Sequence, residues 1–470
     1  MPYWALRPKK ERTSYLAALE GVKLVMTSTL HGATARAAEA AAETVLYFPV
    51  SIVYALYTVV TAVLFVLAAP FFLWKGRGTG KYVRTFRERM NGPLALDAAE
   101  GSIWVHAVSV GEVMAVRPLV ERLKQRYPHT PLFVSTTTVT GNAVAAKTLS
   151  AADGLFFAPF DWPRPVRRVL GRLRPKLLVL VETEIWPNLI HEARRRDIRV
   201  AVVNGRISPR AFRRYLWVRR WLTRVLHEVD LLLMQSDTYA DRIRAMGAPA
   251  ARVHTMGNMK FDALSREGAS PALAALVSSG GPLWVAGSTA EGEEEHIVTA
   301  FRALRERVPN ARLLIAPRRP ERFDAVCALI EARGFRAVRR SALTAPWSGE
   351  AVLVLDSVGE LARVYALATF VFVGGSLVPH GGQNVLEAAI HGKAVIVGPY
   401  MHNFQEIADS FTAEDALVRV TSTEELTRAV VELASDEPRR TRVGEAARAL
   451  IDRHRGAVER TVDALASLVA

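Results

Sequence analysis

Acidic and basic side chains of this sequence gather just after short apolar runs, which is where polypeptides that do chemistry carry it. In the segment "IWVHAVSVGEV" (103–113) a single acid, Glu112, follows a turn and opens a helical pattern of Val113, Val116, Leu119, Val120 and Leu123. Such a carboxylate can act as a general base; as a structural group it would favour a helix N-terminus through the macrodipole. In "VETEIWPNL" (181–189) Glu182 and Glu184 stand two apart at a strand end and share a face if the strand persists, so they could bind a metal or hold a cation. No Asp-x-Asp motif occurs, so a metal is not demanded. Lys260, in "GNMKFD" (257–262), and the arginines of "NGRISPRAFRRY" (204–215), Arg206 and Arg210 among them, would flank the same site and suit a phosphorylated ligand.

The second half offers anion chemistry. "FVGGSLVPHGGQNVLEAAIHGKAVIVGP" (372–399) has two glycine pairs and a helix expected to open at about Asn384, with Glu387 one turn in. Paired glycines let a backbone approach a ligand, a helix start offers free N–H groups to an anion, and a carboxylate there can accept from two ribose hydroxyls. "IAPRRPERF" (315–323) places Arg318 and Arg319 after a strand, where guanidinium groups can clamp a phosphate. "LDSVGEL" (355–361) is a third loop of this kind.

Those loops need elements to hold them. Short Val/Ile/Leu runs near 103–107, 131–136, 177–182, 199–203 and 230–235 alternate with helical patterns, and the rhythm restarts at 282–288, 312–317, 351–357, 370–376 and 393–399. Continuous apolar strands alternating with helices predict parallel sheets covered on both faces, with ligands at the strands' carboxyl ends. The reading is α/β, with two Rossmann-like domains, 75–265 and 266–470, the boundary lying in the strandless stretch 262–281. One of the last helices, after Glu424, is expected to pack back on the first domain.

Composition narrows the classes. The net charge of +15 calls for an anionic partner, and the one cysteine, Cys327, excludes a disulfide framework and reads as a small core residue. There is no Walker motif and no zinc-type Cys/His cluster. From Val45 to Trp74 the chain carries no charge, which is long enough to span a bilayer, with aromatics such as Tyr47, Tyr54, Tyr57, Phe71, Phe72 and Trp74 as interfacial residues. Lys75, Arg77, Lys81, Arg84, Arg87 and Arg89 follow at once, so the positive-inside rule puts the rest of the chain in the cytoplasm. Residues 1–44, basic and then alanine-rich, form an extension ahead of the 45–74 anchor.

The apolar anchor with its basic flank, "SVGE", "ETEIWPN", "GNMKFD", "APRRPERF", "DSVGEL" and "GGQNVLEAA" together resemble, in colinear order over residues 45–470, the 3-deoxy-D-manno-octulosonic acid (Kdo) transferases of lipopolysaccharide assembly. The resemblance implies a GT-B fold, two Rossmann-like domains facing a central cleft, with an N-terminal membrane-anchor helix. It implies transfer of Kdo from CMP-Kdo to a lipid A precursor at the cytoplasmic leaflet of the inner membrane, without cofactor or metal and with no nucleic-acid partner. Carried over by position, Glu112 becomes the general base, and Glu182 and Lys260 supporting charges. Pro317, Arg318, Ser357, Val358, Gly359, Asn384, Val385, Leu386 and Glu387 become CMP contacts, with Arg206 and Arg210 toward the acceptor. Family members often have His at the positions of Arg319 and Gln383 and Pro at that of Val385, and residues 1–44 have no counterpart. Two other readings compete. A two-domain transferase or epimerase acting on a UDP-sugar shares the loops. A basic nucleic-acid-binding protein explains the charge but neither the glycine loops nor the anchor.

Overall fold

The computed structural model describes residues 50–76, 81–93, 100–182, 184–277 and 280–469, with the side chains of residues 50, 51, 70–76 and 81–84 outside the description. The 1–44 extension, Val45 to Pro49 of the anchor with Tyr47, the side chains of Phe71, Phe72 and Trp74, and those of Lys75, Arg77, Lys81 and Arg84 therefore lie outside the described residues.

Two seven-stranded sheets form the body. The first contains β1 (Ser102–His106), β2 (Leu132–Thr136), β3 (Gly154–Phe157), β4 (Pro175–Val181), β5 (Arg199–Gly205), β6 (Leu231–Met234) and β7 (Val253–Thr255) in the order β3-β2-β1-β4-β5-β6-β7. The second contains β8 (Leu283–Thr289), β9 (Arg312–Pro317), β10 (Ala337–Arg339), β11 (Val352–Val354), β12 (Phe370–Val373), β13 (Ala394–Val397) and β14 (Val418–Arg419), ordered β10-β11-β9-β8-β12-β13-β14. Every pairing is parallel. The central strands are covered on both faces, and Trp104 and Trp284 are fully buried within them. Strand order reverses between β1 and β4 in one sheet and between β8 and β12 in the other. The loops beyond those strands diverge and leave a crevice, the place where open parallel sheets bind ligands.

The helix Ala457–Val469 returns to the first sheet. Its Val458, Val462, Leu465 and Val469 join Val113, Val116 and Val120 of helix Val110–Arg126 in one apolar cluster. Asp262 fixes the crossing by accepting from the backbone N–H groups of Gly456 (2.6 Å) and Val458 (2.8 Å), while Arg455 donates to the carbonyls of Phe261 and Leu264.

The first described helix, α1 (Val50–Gly76), is long and apolar enough to cross a membrane, with a mean hydropathy of 2.4 over Ile52–Ala69. One strip of it docks on the first domain. Tyr54 donates to Glu228 (3.1 Å) and stacks on His191, Tyr57 donates to Asp161 (2.9 Å), and Asn188 donates to Thr58 (3.0 Å). Phe65 packs among Phe86, Phe160 and Trp162. The opposite strip, with Leu56, Val59, Val60, Val63, Leu64 and Leu67, is exposed. Tyr54 and Tyr57 are therefore not interfacial aromatics; their hydroxyls donate hydrogen bonds to half-buried carboxylates of the protein body.

Helix Glu437–His454 lies so close to the turn before β13 that a Cβ on Gly444 would stand 2.0 Å from the carbonyl oxygen of Gly392. Backbone cannot yield there as a flexible side chain could. Gly444→Ala is expected to destabilise the second domain by about 1–3 kcal/mol, the usual range for overpacking, read as a lower denaturation midpoint.

Candidate active site

Beyond β1 the chain turns at Ala107–Val108, and Ser109 becomes the N-cap of helix Val110–Arg126. Glu112 is the third helical residue and folds back as in a capping box. Its Oε2 accepts from the Val108 N–H (2.7 Å) and its Oε1 from the Ser109 hydroxyl (2.9 Å). The turn is braced from behind, since the N–H groups of Thr137 and Thr138 both donate to the Val108 carbonyl. Glu112 is only 9% exposed. Burial pushes its carboxyl up to about 7, against the lowering effect of the Val108 N–H; the charges of Glu182 and Glu184 push in the same direction as burial. His106, at the end of β1, is held neutral by burial and hydrogen-bonds Ser135 at 2.8 Å.

Glu182 and Glu184 do not share a strand face, contrary to the expectation above. β4 ends at Val181 and Glu182 takes a left-handed backbone, φ 61°, so the chain turns out of the sheet. The two carboxylates then serve different partners. Lys260 Nζ stands 3.2 Å from Glu182 Oε1 and Arg206 Nη1 4.0 Å from its Oε2, whereas Glu184 accepts from the indole of Trp186. Asn204, at the end of β5, is also left-handed (φ 53°), and its Oδ1 accepts from Met259 N at 3.0 Å. That bond fastens the turn carrying Lys260 to the sheet. Left-handed conformations at two side-chain-bearing residues cost about 1–3 kcal/mol each and concentrate where function dictates geometry. Arg210 belongs elsewhere: it lies on helix Pro209–Trp217, exposed beside Arg213, Arg214, Leu216 and Trp217.

In the second domain, loops beyond β8, β9 and β12 enclose a cavity of about 470 Å³ lined by Ser288, Thr289, Arg318, Arg319, His380 and Gln383, among others. Two buried glutamates organise its wall. Glu293 accepts from the backbone N–H groups of Ala290, Gly375, Ser376 and Leu377 at 2.6–2.8 Å, tying the loop after β12 to that after β8. Glu294 accepts from Thr289 Oγ1 and takes both Nη atoms of Arg322. A Cβ at Gly374 would meet the carbonyl oxygen of Ser288 and Cα of Thr289 at 2.6 Å, so the approach of the two loops requires glycine.

The expected nucleotide contacts distribute unevenly. Arg318 is exposed and its N–H donates to Thr289, while Pro317 is the buried end of β9. Helix formation begins later than Asn384. The helix is a single turn, Leu386–Ala389, and Asn384 ahead of it bonds locally, donating to Glu387 Oε1 (3.1 Å) and accepting from Leu386 N (3.2 Å). Glu387 sits at its second residue with its carboxyl raised by burial, a shift that Asn384 and the Arg318 charge oppose. Val385 and Leu386 point into the core, leaving only their backbone for a ligand. In the 357–359 loop Ser357 donates to Glu360 and Val358 is 85% exposed. Sequence reasoning passed over Ser288 (φ 55°), Asn204, Glu293, Glu294 and His380. Only the run "STAEGEE" directly after a strand carried a signal, and it reads equally well as acids on a helix dipole.

The carboxyl-end loops of the two sheets meet. The hydroxyl of Tyr239, on the helix after β6, is raised by burial and by the nearby carboxylate of Glu406 on the helix after β13.

Residues 84–263 match the family model of 3-deoxy-D-manno-octulosonic-acid transferases. A 3-deoxy-D-manno-octulosonic acid transferase of Haemophilus influenzae is 36% identical over 367 residues, covering 77% of this chain and 86% of that one. One of Bordetella pertussis is 37% identical over 377 residues, with the same coverage of each. Among solved structures, UDP-GlcNAc 2-epimerase from Neisseria meningitidis bound to UDP-GlcNAc aligns with a TM-score of 0.55 at 12% identity, covering 78% of this chain and all (100%) of that one. Likeness at that identity concerns the two-sheet architecture alone, which is the GT-B arrangement the sequence implied. Identity at the level of the bacterial relatives, over most of both chains, decides between a transferase and an epimerase reading: this chain belongs to the Kdo transferase family.

Proposed function

We propose that this chain transfers Kdo from CMP-Kdo to a hydroxyl of a lipid A precursor, with inversion and without a bound metal, at the cytoplasmic face of the inner membrane. The observation that carries the reading is Glu112, a carboxylate raised to about 7 at a strand end and backed by the Glu182–Lys260 pair. A general base works best when its proton affinity lies near the operating pH. The acceptor oxygen bonds to the anomeric carbon of Kdo as that carbon's bond to the CMP phosphate oxygen breaks. The hydroxyl proton passes to Glu112, and CMP departs with the electron pair. Arg318 opposes the charge growing on the phosphate, Glu387 receives the ribose hydroxyls, and the backbone of 357–359 and 384–386 borders the nucleotide. Lys260, fixed by Glu182, supplies positive charge on the acceptor side, with Arg206 beside it. The exposed apolar strip of α1 supports the membrane placement.

Glu112→Gln should keep the fold and CMP binding and lower transfer by about 10²–10⁴-fold, the usual contribution of a base. Near-full turnover would make Glu112 a capping residue only. The base form exists above about 7 and is lost as pH falls through it, so kcat/KM should climb with pH through neutrality in the native chain. A profile flat through that range speaks against the assignment.

Arg318→Ala and Glu387→Ala should each weaken CMP in calorimetric titration, the first through the phosphate and the second through the ribose. Unchanged affinity in both moves the nucleotide elsewhere. Transfer should also run at full rate in excess EDTA; activity lost there and restored by Mg²⁺ would assign the Glu182–Glu184 segment to a metal.

A further inference from the structure

The helices Pro209–Trp217 and Arg219–His227 meet at a sharp corner, where Val218 (φ −109°, ψ 18°) belongs to neither. Their roots are in the first domain's core through Phe212, Tyr215, Leu222, Val225 and Leu226. Their apex is not. Trp217 is 92% exposed, and Leu216 and Val218 beside it are 38% and 45% exposed. Five exposed arginines ring this apolar tip, Arg210, Arg213, Arg214, Arg219 and Arg220, and none forms an ion pair among the described residues.

An indole in water with nothing against it forgoes the burial that normally offsets its large apolar surface. A tryptophan tip surrounded by cations fits one environment well, the boundary between headgroups and acyl chains of an anionic bilayer: the ring is amphipathic, and guanidinium groups bind phosphates. The corner also adjoins α1. Trp221, one turn beyond the apex, packs against Tyr57 of α1 with ring centroids 5.5 Å apart. A bilayer that receives the exposed strip of that helix therefore lies within reach of the corner.

We propose that the Leu216–Val218 corner is a second membrane foot, in which Trp217 enters the interface of an anionic bilayer and the five arginines hold lipid phosphates. The inference rests on the reading that α1 lodges in the same membrane, and two reporters separate them. In the full-length chain with Cys327→Ser, Val218→Cys and, separately, Leu64→Cys carry an environment-sensitive fluorophore. Each is mixed with phosphatidylcholine vesicles with and without phosphatidylglycerol. The label at 218 should shift to the blue and lose most of its quenching by aqueous iodide on anionic vesicles. Protection should fall several-fold in Trp217→Ala, in Arg213→Gln/Arg214→Gln/Arg219→Gln/Arg220→Gln, and at high salt, while the label at 64 stays protected. A label at 218 that iodide quenches equally with and without anionic vesicles overturns the foot, whatever the label at 64 does. Loss of protection at 64 as well would sink the membrane reading of α1 too. Protection at 218 that requires added lipid A precursor would make the corner an acceptor site, and protection without vesicles, with dimers in sedimentation, would make it a contact between copies; either result also overturns the proposal.

Discussion

Buried and half-buried carboxylates gripping backbone N–H groups hold this structure's loops in place. Glu112 takes Val108, Glu293 takes four amides of two loops, Asp161 takes Asn188 and Leu189, and Asp262 takes Gly456 and Val458. A carboxylate without partners in such surroundings is expensive, and an amide left without its acceptor adds to the cost. The loop and the acid therefore hold each other, and neither can move without stranding a charge. Sites built this way present their dipoles before the substrate arrives, which is the condition for electrostatic catalysis.

Counting acceptor sites separates structural from reactive members of this set. An ionised carboxylate has about four lone-pair positions. Glu293 fills them with four N–H groups and is fully buried, so it has nothing left to offer a ligand. Glu112 accepts two bonds, one from an N–H and one from a hydroxyl, and keeps a small opening to solvent. The same turn that caps a helix thus leaves acceptor capacity on its acid, so a capping bond does not use this carboxylate up.

The central strands were legible because burial on both faces leaves continuous runs such as "LLVLV" and "FVFV". The edge strands β3, β7, β10 and β14, two to four residues each, carry too few apolar positions to register as periodic. Arg318 could be picked out because it directly follows an apolar run, and Glu112 because a lone acid follows a turn and opens a helical pattern, whereas Lys260 stood out only within "GNMKFD" at the domain junction. The geometry of Glu182 could not, because a left-handed turn at a glutamate leaves no trace in composition. Nor could the split face of α1, since its own anchoring groups, Tyr and Thr, weigh little in hydropathy and their partners Asp161 and Asn188 lie far along the chain. Glu293 and Glu294 were hidden for the opposite reason: acids at a helix start are so common that a buried pair resembles a solvated one.

The returning helix Ala457–Val469 has a consequence for synthesis. Its apolar face and the pairs Arg122–Glu459 and Arg126–Asp463 complete a core whose other members lie far earlier in the chain, between Ile103 and Met259. As the chain leaves the ribosome, the first sheet must wait with Val113, Val116 and Val120 uncovered until the helix Ala457–Val469 emerges, although the second sheet can close in the interval. The turn that positions Glu112 opens that same waiting helix. A message cut short before Ala457 would therefore damage the half of the protein that was made first.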